Sequence, residues 1–425
     1  MGGIVAIGGS GVRRILTGTT ALVAASALAG RAEAGPALQL GISGFYRNSI
    51  GVQWGNSPGA VTTGGSFVGY GDNNRTTAAM RQEIRINFSG STTLDNGITV
   101  GVLVGLNGEN VQKSGSLDQI YNSYAYFNGT FGQIRIGETD SALVTNCVLD
   151  PGNVTWNFGV NSPWESYSNV GRAAGPVATP ATQGIGFTFG VSPIGSVGTC
   201  YGIEYQGNKI MYFSPIIGGF SFAASFAPQG NSKFAGGGIT PGTNVSSNPV
   251  DDVLSVYANY SHQFDGWKLT AGAGGEWSFG SLTAAGAPTH NNAAMYSAGL
   301  QVGFGKWTVG ASGAYYKNYS NDGYGATFSK SSDDAWVVTA GGNYTTGDWA
   351  VGLQWMYSQW QELGKTTDEV MAAISLNGSY TLGPGVSLGG QLAYSHGNYG
   401  DVGFGGTSIP SVWNVELDFG TDIDF

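Results

Sequence analysis

Three arginines and a group of carboxylates are the charged residues whose spacing points to a common task. Arg81 and Arg85 lie in one segment and Arg135 lies in another, and in both segments the arginines alternate with isoleucines, so on each strand they occupy the face opposite the isoleucines. The carboxylates follow in a segment without this alternation: Glu138, Asp140, Asp150 and Glu165. Opposite charges across a narrow gap of low dielectric create a transverse field, which orients dipolar solutes and sorts ions. The alternative is that the arginines only form stabilising pairs with Glu83 and the loop carboxylates.

The elements that position these charges are indicated by the segment from Ser411 to Phe425. Its odd positions are mostly apolar and end on Phe425, whereas its even positions include Glu416, Asp418 and Asp422. This pattern predicts one strand with an apolar face and an acidic face. A soluble sheet seldom ends on a buried aromatic residue, whereas a membrane barrel places lipid on one face and water on the other. We therefore expect a transmembrane barrel that this strand closes.

Composition supports a barrel. Charged residues make up 10% of the 425 residues, against about 25% in ordinary soluble domains. The mean hydropathy is −0.03, and no apolar run reaches the roughly 18 residues that a membrane helix needs. Membrane-spanning segments must then be strands, and such strands close into a barrel to satisfy their backbone hydrogen bonds. The net charge of −10 argues against nucleic acid as a partner and weakly favours cations as solutes.

Alternating segments recur along the chain as hairpins. The first strand is predicted over residues 38–47, and the polar stretch 48–79 is interpreted as an outer loop. Later hairpins have short turns, such as 95–97 and 265–266, and are separated by longer loops rich in Gly, Ser and Asn. Aromatic residues recur at both ends of the strands, as in membrane girdles rather than in the core of a soluble sandwich or propeller. The pattern predicts an all-β, antiparallel barrel of about 16 strands, with short periplasmic turns and long outer loops.

The amino terminus resembles an export signal rather than a core helix. Arg13 and Arg14 precede the apolar residues 16–30, and Ala32-Glu33-Ala34 fits a cleavage site. We predict a signal peptide over residues 1–34, with residues 1–12 as an extension, and a mature barrel over residues 35–425. The expected location is the outer membrane of a Gram-negative cell, reached through the periplasm.

One long insertion, residues 138–208, interrupts the strand pattern and holds both cysteines. A loop of this length without regular structure is usually functional. In an oxidising compartment Cys147 and Cys200 can pair, which would contribute on the order of 4 kcal/mol, although two free thiols are the alternative. A barrel of this size leaves a channel too wide to discriminate small solutes. An insertion folded inward would narrow it.

Several motifs resemble the trimeric general diffusion porins of Gram-negative outer membranes. They are residues 82–88, 94–98, 124–137 and the hairpin 212–220. The resemblance implies a barrel of sixteen strands, a homotrimer and an inward-folded third outer loop that maps onto residues 138–208. The chain lacks the Pro-Glu-Phe-Gly-Gly segment of many relatives, and Asn157-Phe158-Gly159 matches it only in part.

Enzymatic and metal chemistry find little support in the sequence. The three histidines lie in outer loops or near a turn, without a serine partner, and no Cys/His group has zinc spacing. The doublets Asp251-Asp252 and Asp333-Asp334 could bridge divalent cations or lipopolysaccharide, or form a solvated rim. We expect no catalytic residue, metal or cofactor.

The sequence thus predicts a passive, water-filled outer-membrane channel for small hydrophilic solutes and ions, with the lipid bilayer and lipopolysaccharide as its surroundings. Two alternatives are a substrate-selective channel and a structural or adhesin barrel.

Overall fold

The structure is a computed structural model that describes residues 38–55, 59–63, 66–71, 78–108, 120–155, 158–160, 198–204, 207–229, 251–280, 293–317, 334–360, 369–398 and 412–425. The predicted signal peptide and Glu165 lie outside these residues.

The described part of the chain forms eighteen strands and one short helix. The strands are β1 (Gln39–Gly55), β2 (Gly59–Thr63), β3 (Ser66–Gly71), β4 (Ala78–Thr93), β5 (Thr99–Asn107), β6 (Ile120–Gly129), β7 (Gly132–Glu138), β8 (Asn208–Phe213), β9 (Phe220–Gln229), β10 (Asp251–Gln263), β11 (Trp267–Gly280), β12 (Ala294–Phe304), β13 (Trp307–Lys317), β14 (Ala335–Thr346), β15 (Trp349–Trp360), β16 (Glu369–Gly383), β17 (Val386–Asn398) and β18 (Val412–Asp424). The helix is α1 (Ala142–Asn146).

Sixteen of these strands form one closed antiparallel barrel, which confirms the predicted fold class. Each strand pairs with its neighbours in the chain, and β1 pairs with both β4 and β18. The amide of Phe425 donates to the carbonyl of Gly44 at 3.0 Å, and the amide of Gly44 donates back at 2.8 Å. The last residue therefore closes the barrel, and the sheet that forms the barrel has no open edge.

Alternate side chains point to lipid and to the lumen. On β1 and β18 the outward residues Leu40 and Phe419 are 70% and 54% exposed, whereas the inward residues Glu416 and Asp418 are each 1% exposed. The buried core of the described residues is thus formed by inward side chains of the wall together with the inserted loop. In the described residues no helix is long and apolar enough to cross a membrane.

The first strand is longer than predicted, because β1 continues from Arg47 to Gly55. Residues 48–79, interpreted as one outer loop, contain the end of β1, the separate β2–β3 hairpin and the start of β4. The error has a physical cause. The outward residues Ile50, Val52 and Trp54 continue the alternation, but the inward residues there are polar or glycine and resemble loop composition.

Aromatic rings pair across neighbouring strands at both ends of the wall. Near the short turns, ring centroids are 4.8 Å apart for Trp307 and Tyr344 and 4.5 Å apart for Trp349 and Tyr380. At the other end the indole of Trp277 donates to the hydroxyl of Tyr296 at 3.1 Å. These two belts match the aromatic girdles of membrane barrels.

Candidate functional site: a loop folded against the inner wall

The segment after β7 turns into the barrel and begins with α1. Ser141 caps this helix, because its hydroxyl accepts from the amide of Val144 at 3.2 Å. The backbone amides of the first two helical residues have no acceptor within the helix and donate instead to serines of the barrel wall. The amide of Ala142 donates to Ser225 on β9 at 3.0 Å, and that of Leu143 donates to Ser255 on β10 at 2.9 Å. The inward serines thus fix where the loop enters the lumen.

The loop then follows the wall from strand to strand. Its backbone groups pair with inward side chains that belong to β10, β12, β13, β14, β16 and β17. The pairs are Val148 with Tyr257 at 3.1 Å, Leu149 with Gln301 at 2.7 Å, Asp150 with Ser312 at 3.3 Å, Pro151 with Asn343 at 2.6 Å, Gly152 with Asn377 at 3.0 Å, and Gly159 with Gln391 at 2.8 Å. Because each strand contributes one partner, the wall holds an irregular segment without leaving its polar groups unsatisfied.

A row of inward glycines lets the loop lie directly on the wall. The row runs across five neighbouring strands and consists of Gly272, Gly299, Gly310, Gly341 and Gly352. A Cβ atom at Gly299 would lie 1.8 Å from the carbonyl oxygen of Val148, and one at Gly352 would lie 2.2 Å from the carbonyl oxygen of Gly152. A side chain at either of these two positions would push the loop towards the centre of the lumen.

A disulfide joins the outgoing and returning parts of the loop. Cys147 and Cys200 are bonded, with their Cα atoms 5.6 Å apart. The returning part is held by Tyr316 of β13, whose hydroxyl donates to the carbonyl of Tyr201 at 2.9 Å. Both parts of the loop are therefore fixed at the same sector of the wall.

Glu276 on β11 is a buried carboxylate that binds both ends of the loop. It is 0% exposed. One oxygen accepts from the hydroxyls of Ser141 and Ser255, and the other accepts from the amide of Ile203 at 2.7 Å and that of Glu204 at 3.3 Å. Charge-assisted hydrogen bonds of this kind are stronger than neutral ones. The sequence analysis did not identify Glu276, although it is the one acidic residue on the inward face of β11.

A buried contact between a lysine and a glutamate completes this attachment. Lys209 on β8 lies 2.6 Å from Glu204 and also donates to the carbonyl of Thr139 at the start of the loop. Burial raises the pKa of Glu204 to about 8, and the charge of Lys209 only partly offsets that rise. Removing one partner would leave the other buried and unpaired, which is strongly unfavourable.

The arginines lie on the part of the wall that the described loop does not cover. Arg85 is on β4, and β12 is eight positions from β4 in the ring of sixteen strands, so the loop lies across the lumen from it. Arg47 on β1 belongs to the same basic wall, although it was not among the predicted arginines. It pairs with Asp422 at 3.0 Å and with Glu83 at 3.3 Å, whereas Arg85 approaches Glu83 at 3.6 Å.

Aromatic rings hold these guanidinium groups. Arg85 stacks over Tyr121 with the guanidinium carbon 3.5 Å from the ring centroid, and Arg135 lies 4.4 Å from the centroid of Phe213. Tyr121 reaches the lumen because of a β-bulge. The pairing of β5 with β6 shifts there, so that Gly105 faces Asn122 and the next pair skips Tyr121. A bulge re-aims a side chain without breaking the barrel.

The predicted acidic residues lie elsewhere than expected. Asp150 is 5% exposed and accepts two hydrogen bonds from the amide of Gln354 on β15, at 2.9 and 3.0 Å. Burial raises the pKa of Asp150. Its carboxylate therefore faces the wall rather than the arginines, because the loop backbone lies flat and turns this side chain outward. Glu138 is buried at the end of β7.

The remaining predicted residues have simpler positions. Asp140 is partly exposed at the start of the loop. The backbone of Arg81 lies on β4 opposite Ser49, and its side chain is outside the described part of the structure. Among the described residues, no group of three or more His, Cys, Asp or Glu side chains could hold a metal ion.

A closed barrel with an apolar outer face, a polar lumen and a loop fixed across it defines an outer-membrane channel. The chain belongs to the Gram-negative porin family, whose model matches residues 18–400. It is an outer-membrane porin.

Solved structures agree with this fold. The anion-selective porin of Comamonas acidovorans is 16% identical in sequence, with a TM-score of 0.55. The match covers 92% of this chain and 100% of the Comamonas chain. The channel DcaP of Acinetobacter baumannii is 13% identical with a TM-score of 0.53, and the match covers 94% of this chain and 100% of DcaP. OmpT of Vibrio cholerae in its trimer form is 11% identical with a TM-score of 0.52, and the match covers 92% of this chain and 100% of OmpT. These likenesses show the fold, and the search of curated proteins finds no match.

Proposed function

We propose that this porin conducts small hydrophilic solutes by passive diffusion, without catalysis, and that its constriction prefers anions. The gap lies between the basic wall and the inserted loop, and the transverse field there favours solutes that carry negative charge. The anion preference differs from the weak cation preference that the net charge alone would indicate, because only charges exposed to the gap act strongly on a passing ion.

The observation that carries this proposal is the unequal exposure of the two signs of charge. The side chains of Arg47 and Arg85 are 15% and 22% exposed, and the carboxylate that they share, Glu83, is 17% exposed. The carboxylates Glu276 and Asp418 are buried, at 0% and 1% exposure. Two arginines against one carboxylate of similar exposure leave a positive excess on this wall, although the whole chain has a net charge of −10.

The test is the reversal potential of single channels in a planar bilayer under a KCl gradient. We expect the wild-type potential to indicate anion preference, and the double variant R85Q/R135Q to shift it towards cations. The matched control is K306Q, which removes one positive charge from a short turn outside the barrel wall. An unchanged potential in the double variant, or an equal shift in the control, would refute the proposed role of the arginines.

A second candidate function, a channel selective for carboxylates, is favoured by one observation. The Nε atom of Arg85 is buried and has no hydrogen-bond partner among the described residues. The rest of this guanidinium group is held over Tyr121 in a side chain that is 22% exposed, and a guanidinium group fixed in this way matches the geometry of a carboxylate. Current that saturates with benzoate or acetate, but not with chloride, would support this function over general diffusion.

We also propose that the protein is a homotrimer in a bilayer with lipopolysaccharide. The trimer form of the similar OmpT structure supports this assembly. Mass measurement of the detergent-solubilised protein tests it, and a monomeric wild type would refute it.

A further inference from the structure

Tyr121 lies against an arginine of the basic wall, and a shift in strand register places it there. The guanidinium carbon of Arg85 is 3.5 Å from the centroid of the tyrosine ring. The pairing of β5 with β6 skips Tyr121, so this residue has no partner on β5. Regular alternation would place Tyr121 and its neighbour Asn122 on opposite faces of the strand. The bulge instead turns the ring of Tyr121 towards Arg85.

The stacked position keeps Arg85 at a distance from Glu83. The two residues are two positions apart on β4, so they share one face of the strand. Nη2 of Arg85 lies 3.6 Å from Oε1 of Glu83, which is longer than a hydrogen bond. Nε of Arg85 is buried and has no hydrogen-bond partner among the described residues. A second ring, that of Phe45, is farther away, with its centroid at 5.2 Å. Contact with Tyr121, rather than pairing with Glu83, therefore fixes this guanidinium group.

An arginine and a glutamate at this spacing have a second possible arrangement. A guanidinium group can form two parallel hydrogen bonds with one carboxylate, and such a pair is stronger than a contact without a hydrogen bond. In that arrangement Glu83 would neutralise the charge of Arg85 before the charge acts on a passing anion. An aromatic face attracts the guanidinium group and holds it against the ring, so it opposes the closer pairing.

The neighbouring Arg47 is held differently. Its Nε atom donates to Asp422 at 3.0 Å, and its Nη1 atom lies 3.3 Å from Glu83. Asp422 is 1% exposed, so Arg47 has a buried carboxylate partner of its own. The charge that this wall presents to the gap thus depends on where the side chain of Arg85 lies.

We propose that Tyr121 is a positioning residue for ion selection. Its ring holds Arg85 away from Glu83 and so keeps the positive charge of Arg85 available to anions in the gap. This inference rests on the proposed anion preference, and it assigns part of that preference to a residue without charge. Tyr121 acts through Arg85, so its effect requires both Arg85 and the competing carboxylate of Glu83.

The test is a double-mutant cycle in which the reversal potential is measured in a planar bilayer under a KCl gradient. Y121L removes the ring, and we expect the potential to shift from the wild-type value part of the way towards that of R85Q. The reason is that Arg85 is then able to pair with Glu83. In E83Q the competing carboxylate is absent, so we expect Y121L to cause no further shift there. Y121F keeps the ring and should restore the wild-type potential.

The matched control is Y126L on the same strand. The ring of Tyr126 packs over a glycine of the wall, because a Cβ atom at Gly101 would lie 2.4 Å from it. We expect any shift caused by Y126L to be the same with and without E83Q. Folding of each variant is checked by its heat-dependent migration on SDS gels. If Y121L does not fold, Y121M removes the ring while keeping an unbranched apolar side chain, and the same comparison applies.

The outcomes separate this inference from the proposed anion preference. If R85Q shifts the potential but Y121L does not, the role of Tyr121 is wrong and the role of the arginine stands. The same conclusion follows if Y121L causes an equal shift in the wild-type and E83Q backgrounds, or if Y121F shifts the potential as much as Y121L. An unchanged potential in R85Q would overturn both the positioning role and the proposed role of Arg85.

Discussion

Replacing Gly299 by alanine tests whether contact between the loop and the wall sets the size of the pore. The new Cβ atom would lie 1.8 Å from the carbonyl oxygen of Val148 and 2.8 Å from its carbonyl carbon. Contacts of Cβ atoms do not fall below 3.0 Å, so the loop must move by at least about 1.2 Å. Both clashing atoms belong to the backbone, and no side-chain rotation can relieve them. Overpacking of this kind costs about 1–3 kcal/mol.

The displacement has a direction that can be measured. Strand β12 is paired on both sides, with Gly299 opposite Gly272 and Ser312, so the wall cannot retreat. The loop therefore moves towards the lumen, while the disulfide keeps its two parts together. We expect the single-channel conductance of G299A in a planar bilayer to fall below that of the wild type.

The matched control is G303A on the same strand and the same inward face. A Cβ atom there would have its nearest neighbour at 3.7 Å, which is an ordinary contact. We expect this variant to conduct like the wild type. If G299A folded and conducted as well as G303A, or conducted more than the wild type, the inference that the glycine row holds the loop against the wall would be refuted.

Three further predictions concern the attachments of the loop. E276Q places a donor where the carboxylate accepts from Ile203 and Glu204, so we expect a loss of about 1–3 kcal/mol in stability and noisier single-channel current. Replacing Cys147 and Cys200 by serine should lower the free energy of unfolding by about 4 kcal/mol, and a denaturant titration with and without reductant would show no difference for this variant. The raised pKa of Glu204 means that the folded protein keeps a proton that the unfolded chain releases near its usual value of 4.5. Stability should then fall as pH rises from about 4.5 to about 8, and E204Q should flatten the melting temperature over this range.

Much of the fold could be predicted from local pattern alone. Alternation of polar and apolar residues is a property of each strand, and the acidic and apolar faces of β18 were evident without any partner. The extent of β1 was less evident, because its outer half has inward residues that resemble a loop. The site was predictable only in outline. The position of the inserted loop followed from its length, but the direction of Asp150 did not, since an irregular backbone has no fixed alternation.

The residues that anchor the loop could not be identified from the sequence either. Glu276 and Gly299 look like ordinary inward residues of their strands, and their importance arises only from what packs against them. The same holds for Arg47, whose partner Asp422 is at the other end of the chain.

The sequence by itself determined that the chain forms a barrel, because a two-residue period sorts every strand into a face for lipid and a face for water. Tertiary structure alone decided which charges meet the passing solute. The loop buries its own Asp150 and the Glu276 of the wall, and it leaves the arginines of the facing strands partly exposed. Burial depends on the three-dimensional path of the loop, and that path is set by contacts between residues far apart in the chain.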